Sequence, residues 1–118
     1  MINAVMFDID DTLIRSKDGR PIYEIVDLLR RSKMAGYRIV IITARPWHSR
    51  SVQWTQRQLA QHGIYYDDIY FCVPENKTKV KQELISKHGY HFYLSAGDMP
   101  TDLTDSDNYI NTSIFCHN

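Results

Sequence analysis

The stretch Ala4-Val5-Met6-Phe7-Asp8-Ile9-Asp10-Asp11-Thr12 decides the fold. It opens as a short apolar run rich in Val, Phe and Ile, which reads as a buried strand. It ends in three carboxylates and a hydroxyl. Asp8 and Asp10 are two apart, so on a strand they point to the same side. Asp11 and Thr12 fall where the chain leaves the sheet. Like charges delivered to one point at a strand's carboxyl edge repel each other and lose water, which is costly. A bound divalent cation would offset that cost. Taken alone, the segment also reads as an acidic loop in which Asp11 or Thr12 caps a turn. A calcium loop of the EF-hand type is excluded. That loop wants Gly at its sixth position and Glu at its twelfth, and counting from Asp8 these are Leu13 and Gly19.

Downstream, strands and helices alternate. Leu13 to Pro21 is a polar connection with Asp18-Gly19 as its turn signal. Ile22, Ile25, Val26 and Leu29 recur at helical spacing up to Ala35, and Gly36 stops that helix. Arg38 to Thr43 is a β-branched run read as a buried parallel strand. Ala44-Arg45-Pro46 turns into a second helix running to about Gln61, with Pro46 or Trp47 in its first turn and Val52, Thr55 and Leu59 inward. Trp54 lies off that face and reads as a contact surface or, more simply, as a singly exposed aromatic. Ile69 to Val73 is a third strand. Lys77 to His88 is a third helix, with Val80, Leu84 and Ile85 inward and Gly89 as its stop. Phe92 to Ala96 is a fourth strand, and Ser113 to Cys116 is expected as a short fifth.

The 118 residues suit one domain over the whole chain, 1–118. A hydrophobic content of 43% marks it as globular. With 14 basic and 14 acidic residues, the balance argues against a large nucleic-acid footprint while leaving room for a local patch. Cys72 and Cys116 sit in apolar runs and read as buried thiols rather than a disulfide framework. No apolar run reaches membrane-spanning length and no signal peptide is seen, so a cytoplasmic protein is expected.

Such alternation implies an α/β three-layer Rossmann-like sandwich: a five-stranded, mainly parallel sheet with helices on both faces. Ligands of such sheets bind at the carboxyl ends of the strands. Asp8 and Asp10, Thr43, and Asp98 end three of the strands, so the topology brings them to one edge. Asp98, with Asp102 a turn later, adds hard oxygen donors that suit Mg²⁺, a usual partner of phosphoryl transfer. Thr43 offers a hydroxyl, or an ordinary cap. Lys77 and Lys81 share one helix face, which reads either as solvated or as the source of one phosphate-balancing cation.

Asp8-Ile9-Asp10-Asp11-Thr12 resembles the D-x-D-x-T first motif of the haloacid dehalogenase superfamily. Ile41-Ile42-Thr43 resembles its second motif, Lys77 its third-motif lysine, and Gly97-Asp98-Met99-Pro100-Thr101-Asp102 its G-D-x-x-x-D fourth. The four occur in order across nearly the whole chain. The resemblance implies that Asp8 is a nucleophile forming an aspartyl-phosphate. It implies that Asp10 is the general acid and then base. It places Mg²⁺ between Asp8, the backbone carbonyl of Asp10, and Asp98, with Asp102 in support. Thr43, Ala44, Arg45 and Lys77 would contact substrate, and Lys81 is the second choice for the phosphate lysine. Asp11 stands where glycine is common in the family.

Members often carry a cap domain after the first motif or between the third strand and the lysine. Here those connections are Leu13 to Pro21 and Val73 to Asn76, too short for a cap. A capless site suits a large phosphorylated substrate, or closure by another subunit of a homo-oligomer. The run Thr43-Ala44-Arg45-Pro46, with Thr55, Leu59 and His62-Gly63-Ile64, resembles the acid phosphatase-like branch and the 3′-phosphatase domain of phage polynucleotide kinase. The expected activity is therefore Mg²⁺-dependent phosphomonoester hydrolysis. Nucleic-acid 3′-phosphatase activity and a catalytically idle binding module are the alternatives.

Overall fold

The computed structural model describes residues 1–115. Five strands form one parallel sheet in the order β3-β2-β1-β4-β5. They are β1 (Ile2–Phe7), β2 (Arg38–Thr43), β3 (Asp68–Phe71), β4 (Tyr90–Gly97) and β5 (Asn108–Asn111). Helices α1 (Tyr23–Met34), α2 (Ser49–Gln61) and α3 (Lys77–His88) join them, with short 3-10 turns at Pro74–Asn76, Pro100–Asp102 and Thr112–Phe115. The central strand is β1. It pairs with β2 from Ala4↔Arg38 to Phe7↔Ile41 and with β4 from Ile2↔Tyr90 to Phe7↔Ala96.

The period-two alternation of side chains divides the core between the two faces of the sheet. Val5, Phe7, Ile39 and Ile41 pack on one side with Ile25, Val26 and Leu29 of α1 and Leu59 of α2. Ala4, Met6, Val40 and Ile42 face the other way, against Leu84 of α3, Tyr90 and Phe92. This is the three-layer α/β arrangement with helices on both faces. Among the described residues no helix is long and apolar enough to cross a membrane.

The segment after β1 folds back on itself instead of carrying an insertion. Ile14 bridges Asp10 in parallel and Pro21 in antiparallel sense, and Arg15 N–H donates to the Arg20 carbonyl at 2.8 Å. This Ile14–Pro21 hairpin and the short Pro74–Asn76 turn leave no cap at either connection.

Four local expectations are corrected. The fifth strand is Asn108–Asn111, paired with Leu94–Gly97, while Thr112–Phe115 forms a 3-10 turn. An edge strand exposed along most of its length carries little apolar signal, and the Asn111 side chain accepts from Ser113 N–H at 3.0 Å, turning the chain away from the sheet. Cys116 lies outside the described residues, and Cys72 is only half-buried. Helix α2 begins at Ser49, with the His48 ring nitrogen accepting from Ser51 N–H, so Pro46 and Trp47 belong to the preceding loop. In α3, Ile85 is exposed. The inner face is Lys77, Lys81 and Leu84, so the two lysines are buried rather than solvated.

Candidate active site

The loop after β1 is held by backbone bonds. Asp8 N–H donates to the Ala96 carbonyl at 3.0 Å, fixing Asp8 against β4. The Ile9 carbonyl accepts from the N–H groups of Thr12, Leu13 and Ile14. Asp11 sits in the left-handed region at φ 59°. That conformation favours glycine, and a short polar side chain tolerates it. The Asp11 carboxylate also accepts from Ser16 N–H and Ser16 Oγ at 3.0 and 2.9 Å, anchoring the hairpin. Behind the loop, the Thr112 hydroxyl donates to the Asp11 carbonyl at 2.8 Å and lies 3.0 Å from the Thr12 hydroxyl.

Asp8, Asp98 and Asp102 converge: one carboxylate oxygen from each lies within 4.8 Å of the others. Lys77 opens α3 directly beneath them. Its ammonium donates to Asp8 Oδ1 at 2.8 Å and to Asp102 Oδ1 at 2.7 Å, with all three side chains buried. Asp102 Oδ2 accepts from Met99 N–H at 3.1 Å, closing the turn after β4. Gly97 is required by close approach. A Cβ there would overlap the Cβ, Cγ and Oδ2 of Asp102.

The electrostatics follow from this crowding. Burial, then the Asp102 charge, pushes the Asp8 carboxyl up to about 8, although Lys77 pulls it down. Burial also raises Asp98. Burial opposes the charge on Lys77, but Asp8 and Asp102 more than offset it and its pKa rises. Lys77 thus pairs with Asp8 and Asp102 while Asp98 lies beside them without an ammonium of its own, and a divalent cation would favour the ionised form of all three. The all-oxygen donor set of Asp8, Asp98 and Asp102 fits a hard ion such as Mg²⁺.

Lys81 takes a different part. It is completely buried, and its ammonium donates to the carbonyls of Asp102 and Thr104 at 2.5 and 2.6 Å and to Ser95 Oγ at 3.1 Å. Burial lowers its pKa to about 8. It ties down the turn that carries Asp98 and Asp102, and it has no route to a ligand. The expectation of Lys81 as a phosphate contact is therefore corrected.

Arg45 is likewise committed. Its Nε and Nη2 donate to both Asp10 oxygens at 3.0 and 2.9 Å, and Nη1 donates to Thr55 and Gln58 at 3.2 and 2.8 Å. The guanidinium lies 5.2 Å from the ring centroid of Trp54. This side chain orients Asp10, with all three guanidinium nitrogens already engaged. Thr43 is buried, and its hydroxyl oxygen accepts from Arg45 N–H at 3.1 Å. That bond leaves the hydroxyl proton available to donate.

An open pocket of about 180 Å³ sits over the cluster, walled by Asp8, Asp10, Ala44, Lys77 and Asp98 among others. Four of the residues expected from the motifs to act here as catalyst or ligand, Asp8, Asp10, Lys77 and Asp98, line it. Thr101 also lines it and was not singled out from sequence. Its Oγ1 is buried without a hydrogen-bond partner among the described residues, an orphaned hydroxyl beside the carboxylates. Only its place inside the fourth motif hinted at it. A larger hollow of about 620 Å³ lies at the amino ends of the strands, where the charged groups Lys33 and Arg38 are already paired with Asp67 and Asp68.

No curated protein sequence matches the chain. Among solved structures, the class C acid phosphatase from Bacillus anthracis is similar at a TM-score of 0.66 and 20% identity, over 87% of this chain and 54% of that one. A chain of the Pnkp1/Rnl/Hen1 RNA repair complex is similar at a TM-score of 0.66 and 20% identity, over 85% of this chain and 37% of that one. The present chain thus spans between about a third and just over half of these structures, and the likeness is one of fold. Residues 5–94 match the family model of the haloacid dehalogenase-like hydrolases, and the chain belongs to that family.

Proposed function

We propose that the chain is a divalent-cation-dependent phosphomonoester hydrolase working through a phosphorylated Asp8. The observation that carries this reading is the convergence of Asp8, Asp98 and Asp102 within 4.8 Å, with Lys77 bridging Asp8 and Asp102. Asp8 attacks phosphorus and displaces the alcohol. Asp10, oriented by Arg45 at the pocket wall, enters the step protonated, with one of its oxygens released from the guanidinium, and gives that proton to the departing oxygen. Water then attacks the acyl-phosphate, giving its proton to Asp10 and releasing phosphate and the free Asp8 carboxylate. Lys77 balances the charge gathering on Asp8 and the transferring group.

Asp8 and Asp98, backed by Asp102, would hold Mg²⁺. When bound, such an ion neutralises the phosphoryl oxygens and eases the approach of the anionic nucleophile. Thr101, on the pocket wall with an unpartnered hydroxyl, and Thr43, whose hydroxyl keeps its proton to donate, would assist the transfer. The absence of a cap at both internal connections favours substrates whose phosphate projects from a larger body, and the site is equally open to closure by a second subunit.

The test is hydrolysis of an aryl phosphate with and without Mg²⁺. Asp8→Asn should abolish turnover while leaving the circular dichroism spectrum and the urea midpoint near those of the parent or higher. Turnover retained by Asp8→Asn would overturn the assignment.

A further inference from the structure

We infer that the groove running from Asp10 between the Ile14–Pro21 hairpin and α2 receives the alcohol portion of the substrate, and that its chemistry selects a nucleotide bearing the scissile phosphate. This rests on the phosphatase reading above. A leaving oxygen must lie against Asp10 to take its proton. Asp10 is the residue shared by the phosphate pocket and a neighbouring hollow of about 280 Å³, whose walls include Arg15, Gly19, Arg45, Trp54 and Gln58. A second hollow of about 250 Å³ continues past Gly19, Trp54 and Gln58 to Arg57 and His62. A group leaving along the Asp10 side of the phosphate pocket meets this groove.

Two properties of the groove identify its ligand. The first is Trp54, which is 55% exposed although Arg45 lies over its ring. Its remaining indole surface is a platform for a planar ring, and base–aromatic stacking contributes about 1–3 kcal/mol. The second is charge. The α2 sequence SRSVQWTQRQLAQ holds Arg50 and Arg57 and no carboxylate. Trp54 and Arg57, three apart on one helix face, both wall the second hollow, whereas Arg50, a turn earlier, belongs to neither wall. Arg15 across the groove has only a loose 3.9 Å contact to Asp18. The chain's zero net charge therefore hides a local cationic strip beside an aromatic platform. A ring with a second anionic group complements it, whereas a bare polyol uses neither feature.

Steady-state kinetics test this with Mg²⁺ and three substrates: adenosine 3′,5′-bisphosphate, a short single-stranded oligonucleotide with a terminal phosphate, and glycerol 2-phosphate. The nucleotide substrates should exceed glycerol 2-phosphate in kcat/KM by about 10-fold or more, as stacking of this strength implies. Trp54→Leu and Arg57→Glu should each shrink that ratio, a quantity taken within one variant and so insensitive to how much of it is folded. A higher value for the strand than for the free nucleotide assigns the groove to strand termini, and equal values assign it to single nucleotides. If all three esters are hydrolysed at similar kcat/KM, or if the ratio survives both substitutions, the inference falls while the phosphatase reading stands. If none is hydrolysed, the phosphatase reading fails, and indole fluorescence of the Trp47→Phe protein decides the groove. Saturable quenching by adenosine 3′,5′-bisphosphate supports it and no quenching overturns it.

Discussion

Arg45 grips both carboxylate oxygens of Asp10, with Nε 3.0 Å from Oδ2 and Nη2 2.9 Å from Oδ1. The clamp is itself braced, since Thr55 and Gln58 of α2 take Nη1. An acid that must serve a leaving oxygen is thereby set in one orientation by a helix of the scaffold. Lysine cannot reproduce a two-point contact. Arg45→Lys should therefore lower kcat for an aryl phosphate by about 10²-fold, the scale of general acid–base catalysis, with KM little changed. A raised KM with kcat intact would mean that Arg45 serves binding instead.

Lys77 stands between two buried carboxylates, and where Asp8 is ionised, at about pH 8 and above, its removal leaves them to repel each other. Lys77→Met should destabilise the protein by about 3–5 kcal/mol, the usual cost of stranding buried charge. Urea unfolding in the absence of divalent cations reads this as a lower midpoint at unchanged slope. A midpoint equal to that of the parent would show that the ammonium is dispensable to the fold.

The raised Asp8 carboxyl makes stability depend on pH in a stated direction. Its ordinary value is 3.8 and its folded value about 8, so between these the folded state binds the extra proton. Stability without divalent cations should therefore fall as pH rises from about 4 to about 8. Asp98, also raised, adds to the same trend. Asp8→Asn should flatten most of the slope in urea midpoints measured across that range with a chelator present. Added Mg²⁺ should stabilise more at pH 8 than at pH 5, because it binds the ionised carboxylates. A chelated protein that grows steadily more stable over this range would contradict the electrostatic account.

Gly97 has no room for a methyl group against Asp102. Gly97→Ala must push the Asp102 side chain from its bonds to Lys77 and Met99. Overpacking of this kind costs about 1–3 kcal/mol. The same change should reduce aryl phosphatase activity and Mg²⁺ affinity together. Parental activity in the alanine variant would show that Asp102 can relocate without consequence.

The central strands were legible because they are buried on both faces and read as continuous apolar runs, as in Ala4 to Phe7 and Arg38 to Thr43. Lys77 to His88 was legible as a helix from the spacing of Val80 and Leu84 and from Gly89 as its stop, which takes φ 70°. The edge strand Asn108–Asn111 was not, since an edge needs backbone pairing and little burial. The roles of the charged residues were harder still. Lys77 and Lys81 are one helical turn apart with similar neighbours, yet one meets carboxylates and the other backbone carbonyls. Only the path of the Pro100–Asp102 turn separates them. The Arg45–Asp10 clamp joins residues 35 positions apart and carries no local signature. The orphaned hydroxyl of Thr101 and the exposed ring of Trp54 became meaningful only beside the pockets they line.

The most direct measurement is to find where phosphorus goes during turnover. Protein quenched in acid while hydrolysing a ³²P-labelled ester should carry label as an acyl-phosphate, and borohydride reduction should convert residue 8 to homoserine in the peptide analysed by mass spectrometry. Homoserine at position 8, dependent on substrate, is the result the account predicts. Continued turnover with no covalent label, or with label on another residue, would contradict it.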